Sequence, residues 1–209
     1  MPDFQKLVDG YHRFRDTDWP RERARWEELT EGQRPRVMVI SCSDSRVDPA
    51  QVFNTSPGEI FVVRNVANLV PPFEDDTARH GVSAAVEFAV TQLDVRQIVV
   101  MGHGACGGVA AALTRRFEGA APGAGGFIAH WIDLLDDARD RVIAEHGTGP
   151  EAVRALEREA VRVSLANLRT FPPIAAREAA GKLTLRGAYF AIADGVLHVL
   201  GADGRFVAG

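Results

Sequence analysis

The sequence lacks several features that mark common classes of protein. It has two cysteines among 209 residues, and no apolar run approaches the roughly 20 residues that a membrane-spanning helix needs. The N-terminal stretch has no apolar core of a secretory signal. Its 24 Lys and Arg against 28 Asp and Glu exclude the basic footprint of a nucleic-acid-binding protein. We therefore expect a cytoplasmic protein whose cysteines are reduced or bind metal, rather than forming a disulfide.

The apolar segments predict one domain with an α/β fold, in which a mainly parallel sheet is flanked by helices. Three short apolar runs, at residues 36–41, 59–64 and 96–101, have the pattern of buried strands. KLTLRGAYFAIADGVLHVLGADG alternates around Asp194-Gly195, which predicts a C-terminal hairpin on the sheet edge. Strands that alternate with helices favour parallel pairing. The predicted helices cover residues 107–117, 151–171 and 174–180, a region ending near 146, and a segment from Asp76 or Thr77 to about Leu93.

Residues 1–32 predict a helical arm. Two charged helices with thin apolar stripes are expected there, with a break at Trp19-Pro20 and a restart that has Pro20 near its first turn. Such helices pack either on their own sheet or on a partner subunit, and the pattern alone favours neither.

Both cysteines stand where an apolar strand ends. Cys42 follows RVMVIS, and His103 and Cys106 share the glycine-rich turn after the strand that ends near Met101. In open α/β sheets, ligands bind at this edge. Two thiolates and an imidazole suit zinc, and three protein ligands with an open position are typical of a catalytic site. The alternative interpretation is two small buried cysteines and a loop histidine.

The segment CSDSR places Asp44 and Arg46 beside Cys42. In extended backbone these three residues alternate with Ser43 and Ser45, so they can share one face. A guanidinium that grips the carboxylate in bidentate fashion would keep Asp44 from becoming a fourth metal ligand. The alternative is a surface salt bridge, which contributes little.

Together these segments resemble the β-class carbonic anhydrases, and the resemblance covers nearly the whole chain. It is carried by GQRPRVMVISCSDSRVDP, PGEIFVVRNVANLVPP, SAAVEFAVTQL, IVVMGHGACGGV, SLANLRTFPPI and GKLTLRGAYFAI. VVRNVANLVPP is similar to the plant-type branch of that class.

The resemblance implies a fold, an activity and a set of site residues. It implies reversible hydration of carbon dioxide by zinc-bound hydroxide, with one Zn²⁺ per subunit held by Cys42, His103 and Cys106, and an Asp44–Arg46 dyad. Gln33 is similar to a glutamine that reaches a neighbour's active site and helps to hold bicarbonate. The family's unit is a dimer, often doubled to a tetramer, which favours an arm that packs on a partner. Two thiolates donate more negative charge to the metal than three imidazoles do, so the metal-bound water should be less acidic than in a three-histidine site. We therefore expect activity to rise above neutral pH.

The pocket for carbon dioxide should be dry and apolar. The candidates are Phe61, Val66, Phe88 and the backbone of Gly107 and Gly108. The sequence departs from the family at two nearby positions: Gly104 replaces the usual serine, and Phe88 replaces the tyrosine of plant-type relatives. Some relatives are regulated by bicarbonate bound at a second site, which is formed by a tryptophan, an arginine and a tyrosine. Val39 occupies the tryptophan position here, although Arg64 and Tyr189 are present, so we expect no such gate.

Other functions remain open at this point. Hydrolysis of carbonyl sulfide or carbon disulfide would use the same ligands, a zinc store would need no open position, and a redox role for the cysteines is a third alternative. The side chains of His80, His130 and His146 could relay protons, but a surface or packing role fits each of them better. Trp131 and the apolar stripe over 151–168 are interpreted as packing.

Overall fold

The computed structural model describes residues 3–76 and 78–209, which form two compact units that divide between Arg34 and Pro35. The first unit is helical, with α1 (Phe4–Arg13), α2 (Trp19–Arg21) and α3 (Arg23–Thr30). Pro20 lies in the first turn of α2, where its missing N–H costs nothing. The predicted break at Trp19-Pro20 was wrong, because a π-helical stretch, Phe14–Asp18, carries the chain from α1 into α2.

The second unit is built on one six-stranded sheet with the order β2-β1-β3-β4-β5-β6. The first four strands in this order are parallel, and β5 and β6 are antiparallel additions. The α/β fold, the parallel sheet and the hairpin at Asp194-Gly195 are therefore confirmed, whereas β6 was not predicted. The strands are β1 (Val37–Cys42), β2 (Ile60–Asn65), β3 (Gln97–His103), β4 (Thr184–Ala191), β5 (Val196–Leu200) and β6 (Phe206–Ala208).

Helices cover the sheet. They are α4 (Pro49–Val52), α5 (Gly81–Thr91), α6 (Gly107–Leu113), α7 (Gly126–Ile132), α8 (Asp136–His146), α9 (Pro150–Leu168) and α10 (Pro172–Ala179). No helix among the residues that the structure describes is long and apolar enough to cross a membrane.

Three of the predicted helices were too long, and the one expected over 151–171 ends at Leu168. The helix expected from Asp76 or Thr77 begins at Gly81. Thr77 lies outside the described residues, and Asp76 instead accepts hydrogen bonds from the main-chain N–H of Ala78 (2.7 Å) and the ring of His80 (2.7 Å), which hold a turn before α5. The helix expected over 107–117 ends at Leu113, and the chain turns at Arg115, whose φ of 50° is left-handed.

Helix α9 joins the two largest groups of buried apolar side chains. Val161, Leu165 and Leu168 pack with the strands and α5, while Leu156 and Ala160 pack with α6 and α8. The helix approaches β3 closely, because a Cβ added at Gly102 would lie 2.8 Å from Cγ2 of Val161. This packing sets α9 directly against the end of β3, where His103 is located.

Candidate metal centre

Strands β1 and β3 are parallel neighbours, with Ser41 paired to Met101. Their carboxyl ends therefore meet at one edge of the sheet, where Cys42 ends β1 and His103 ends β3. Cys106 follows three residues later as the N-cap residue of α6. Ala105 between them has a φ of 54°, and this left-handed residue turns the chain back towards β1.

The three predicted ligand residues form one compact, buried group. The Sγ atoms of Cys42 and Cys106 are 3.9 Å apart, and these sulfurs and a ring nitrogen of His103 all lie within 4.8 Å of one another. The side chains are at most 5% exposed. Asp44 is not a member of this group, so the geometry leaves it out of the set of potential ligands.

The histidine ring is oriented for metal binding. Its Nδ1–H donates to the carbonyl oxygen of Gly104 at 2.9 Å, so Nε2 carries the free lone pair when the ring is neutral. Nε2 is buried and has no hydrogen-bond partner among the described residues. A buried lone pair needs a partner, and a metal ion beside the two sulfurs would provide one. The residues present therefore fit a soft divalent metal.

The thiol groups of Cys42 and Cys106 differ in pKa. The hydrogen bond from the Cys106 thiol is the main cause that lowers the pKa of Cys42. The same contact with Cys42, together with burial, raises the pKa of Cys106. A metal ion would displace the proton held between the sulfurs, because the thiolate is the form that binds metal.

Asp44 is held firmly by Arg46. Nε of Arg46 donates to Oδ1 of Asp44 at 2.9 Å, Nη2 donates to Oδ2 at 2.6 Å, and the main-chain N–H of Arg46 donates to Oδ1 at 3.0 Å. Nη2 also donates to the carbonyl oxygen of Ala105 at 3.0 Å, so the guanidinium connects the carboxylate to the turn between the ligands. These hydrogen bonds hold the pKa of Asp44 well below its usual range.

A second arginine supports the segment after β1. Arg64, on β2, donates to the carbonyl oxygens of Cys42 (3.0 Å) and Asp44 (2.6 Å) and pairs with Asp48 at 3.1 Å. Tyr189 donates instead to Glu157, so Arg64 and Tyr189 contact different partners.

Sequence reasoning missed Glu157. This side chain is 1% exposed; Oε1 accepts from the main-chain N–H of Cys106 at 2.9 Å, and Oε2 accepts from the hydroxyl of Tyr189 at 2.8 Å. The interpretation of the 151–168 stripe as packing alone was therefore incomplete. The signal was present, because a charged residue stands between Leu156 and Ala160 on the buried face of α9.

The structure also accounts for Gly104. A Cβ at this position would lie 3.1 Å from the hydroxyl oxygen of Tyr189, so the tyrosine that binds Glu157 occupies the space that a larger residue would need.

The predicted pocket residues are only partly brought together. Val66 lies against α6, because a Cβ at Gly108 would be 2.7 Å from its Cγ1, whereas the space beside Gly107 is open. Phe61 packs with the apolar group that lacks the cysteines. Phe88 is 45% exposed and contacts Phe61, with ring centroids 5.9 Å apart. Trp131 donates from Nε1 to the carbonyl oxygen of Val66 at 2.8 Å.

The remaining candidates are one glutamine and three histidines. Gln33 belongs to the first unit. His80 contacts Glu74 and Asp76, His130 contacts Asp133, and His146 lies near Glu145. No contact between these histidines and the centre is present in the described part of the chain.

The fold and the site define an α/β protein with three donor side chains that could hold a metal ion, beside which a carboxylate is held outside the donor group. A sequence model of the family described as carbonic anhydrase matches residues 37–197. Beta carbonic anhydrase 3 of Arabidopsis thaliana is 33% identical over 201 residues, which cover 95% of this chain and 77% of that protein. A carbonic anhydrase of Synechocystis sp. is 34% identical over 203 residues, which cover 96% of this chain and 71% of that protein.

The solved structure of the β-carbonic anhydrase CcaA is 32% identical and superposes with a TM-score of 0.89, covering 98% of this chain and 91% of that one. A Coccomyxa β-carbonic anhydrase, solved in complex with acetazolamide, is 28% identical with a TM-score of 0.81, covering 100% of this chain and 90% of that one. This chain belongs to the β-class carbonic anhydrases, as the resemblance predicted.

Proposed function

We propose that this enzyme catalyses the reversible hydration of carbon dioxide to bicarbonate and a proton, with one zinc ion per subunit held by Cys42, His103 and Cys106. The observation that carries the proposal is the carboxylate of Asp44, which Arg46 fixes beside the donor group but outside it. A metal store would need no such arrangement.

Zinc is the metal that this donor set favours, since thiolate and imidazole are its usual ligands. When bound, it supplies a Lewis acid that makes a water molecule acidic enough to act as a nucleophile near neutral pH. The family relationship and the unpartnered Nε2 of His103 both support zinc at this position.

Asp44 acts as the hydrogen-bond acceptor that orients the reacting water. Its Oδ1 already accepts two hydrogen bonds from Arg46, but Oδ2 accepts one. A carboxylate oxygen can accept two hydrogen bonds, so Oδ2 is free to accept one from the reacting water. That hydrogen bond would orient the water so that a lone pair on its oxygen points towards carbon dioxide. Because Arg46 keeps the pKa of Asp44 low, this acceptor stays ionised throughout the working range.

A neighbouring subunit completes the site in this proposal. The arm formed by residues 1–32 packs on a partner, and Gln33 donates to bicarbonate in the partner's site. The apolar residues Phe4, Leu7 and Tyr11 on α1 are 55–80% exposed in the single chain, which supports such packing.

The apolar pocket has contributions from two chains. Val66 and Gly107 come from the subunit that holds the metal, and Phe61 and Phe88 come from its neighbour. Within one chain Phe61 packs with the apolar group that lacks the cysteines, and Phe88 is exposed beside it. The assembly is a homodimer or homotetramer; two β-carbonic anhydrases of Sordaria macrospora, 27% identical in the comparison with a TM-score of 0.80, are tetrameric. We place the enzyme in the cytoplasm and propose that it has no bicarbonate gate.

The test measures zinc content and stopped-flow hydration of carbon dioxide on purified protein. Asp44→Asn should keep zinc and lose turnover by about 10²-fold or more, the scale of a general acid–base contribution. Asp137→Asn, an exposed residue of α8, is the matched control and should keep full turnover. Cys106→Ser should lose zinc.

Three outcomes would contradict the proposal. They are full turnover in Asp44→Asn, full zinc content in Cys106→Ser, or hydrolysis of carbonyl sulfide or carbon disulfide at a higher rate than hydration of carbon dioxide.

A further inference from the structure

A large cleft shares one wall with the metal centre. Gly104 and Ala105 form part of this wall, and the cleft has a volume of about 880 Å³, within the range of small-molecule sites. Neither the cysteines nor Asp44 and Arg46 line it, so the turn between His103 and Cys106 separates this cleft from the three donor side chains. The other walls are the first turns of α9, the end of β4 and the hairpin turn that follows it.

Two arginines of α9 face this cleft, and each lacks an acidic partner. Arg154 and Arg158 are one helical turn apart and both line the cavity. In contrast to Arg162 of the same helix and Arg169 directly after it, neither forms a salt bridge within the residues that the structure describes. Arg158 stacks over the ring of Tyr189, with Cζ 4.7 Å from the ring centroid, which fixes the direction of its guanidinium.

The acidic side chains of the cleft do not neutralise these arginines. Glu157 is buried, and its two oxygens accept from Cys106 and Tyr189. Asp194 lies at the exposed hairpin turn and forms no salt bridge with either arginine. Two cationic groups therefore remain available to an anion.

The rest of the wall is partly polar, at Thr148 and His198, and partly apolar. Pro150 and Val153 contribute from α9, and Ala191, Ile192 and Ala193 contribute from the end of β4 and the turn. An inorganic anion would use the guanidinium groups but leave this surface exposed to water. A ligand with both a carboxylate and a short hydrocarbon body would satisfy both parts of the wall.

We propose that this cleft, lined by Arg154, Arg158, Tyr189 and Ile192, is a second ligand site that binds a small organic monocarboxylate. The carboxylate contacts the two guanidinium groups, and the hydrocarbon body lies on the apolar wall. This site is separate from the hydration chemistry, so it stands or falls independently of the proposed function.

Isothermal titration of the zinc-loaded enzyme with hexanoate tests the proposal. We expect saturable binding with one hexanoate per subunit, at least tenfold weaker binding of the neutral analogue hexanamide, and at least tenfold weaker binding of acetate, which lacks the hydrocarbon body. The double variant Arg154→Gln/Arg158→Gln should bind hexanoate at least tenfold more weakly.

Two controls make the result specific. Arg141→Gln removes an exposed arginine from α8, outside the cleft, and should bind hexanoate like the wild type. Hydration of carbon dioxide by the double variant without hexanoate should match the wild type, which shows that its metal centre is intact.

The proposal is overturned if hexanoate does not bind saturably, or if the double variant binds it as tightly as the wild type, since the anion would then be held at the metal or elsewhere. Equal affinities for hexanoate and acetate would also overturn it, because the apolar wall would then contribute nothing.

Discussion

Replacing Glu157 should destabilise the folded protein and weaken metal binding. Glu157→Ala leaves the main-chain N–H of Cys106 and the hydroxyl of Tyr189 without their acceptor in a buried setting. Each buried group that loses its partner costs about 1–3 kcal/mol, so the free energy of unfolding should fall by about 2–6 kcal/mol. That is a large part of the roughly 5–15 kcal/mol that holds a typical domain together.

The measurement is urea unfolding of the zinc-free protein, since bound metal would add its own stabilisation. Glu159→Ala is the matched control on the same helix. Its partner is Arg162 in a partly exposed pair, with the side chains 29% and 34% exposed, so it should cost at most about 1 kcal/mol. Glu157→Gln keeps an oxygen that accepts from Cys106, and it should recover most of the loss.

The same variants have a second readout in zinc affinity. Glu157 fixes the main chain at Cys106, and removal of such a support weakens metal binding by roughly 10–100-fold in comparable sites. We expect this loss in Glu157→Ala but not in Glu159→Ala. If the two variants match in both unfolding and zinc affinity, the buried carboxylate is not what holds the ligand turn.

Three further predictions concern the same centre. Gly108→Ala should destabilise the protein by about 1–3 kcal/mol in thermal or urea unfolding, because its Cβ would lie 2.7 Å from Cγ1 of Val66. The control Gly107→Ala meets no atom within 4 Å and should be nearly neutral. Equal losses of stability in the two variants would contradict this packing. Arg46→Gln removes the fork that restrains Asp44, so X-ray absorption of the zinc-loaded variant should show an added oxygen donor and turnover should fall, while an unchanged spectrum and rate would count against the restraint. Arg46 lowers the folded-state pKa of Asp44, so the ionised carboxylate stabilises the folded protein fully above its unfolded pKa of about 4, and this stability is lost as the pH falls below that value. Between pH 6 and pH 3, Asp44→Asn should therefore lose less unfolding free energy than the wild type. Parallel curves of unfolding free energy against pH would refute this prediction.

The donor group could be predicted because it depends on local signals. The apolar runs that end at Cys42 and His103 identify two strands, and parallel strands bring their carboxyl ends to one edge. Asp44 and Arg46 are two residues apart in the sequence, so their contact could also be predicted from the local pattern.

Contacts that span long sequence distances were harder to foresee. Glu157 is 51 residues from Cys106, and no pattern near either residue indicates the pairing. The stripe on α9 predicts which face is buried but not that a carboxylate on that face has a main-chain partner. The start of α5 was misplaced because Asp76, a good capping residue, binds Ala78 and His80 in a turn of its own.

The distance along the chain between the ligands has a consequence for how the enzyme is made. Cys42 and Cys106 are 64 residues apart, so, of the three proposed ligands, a newly synthesised or denatured chain holds only His103 and Cys106 close together. A chelator of two donors competes poorly for zinc in a cell. Metal capture should therefore follow assembly of the central strands, and the ion completes this enzyme instead of nucleating it.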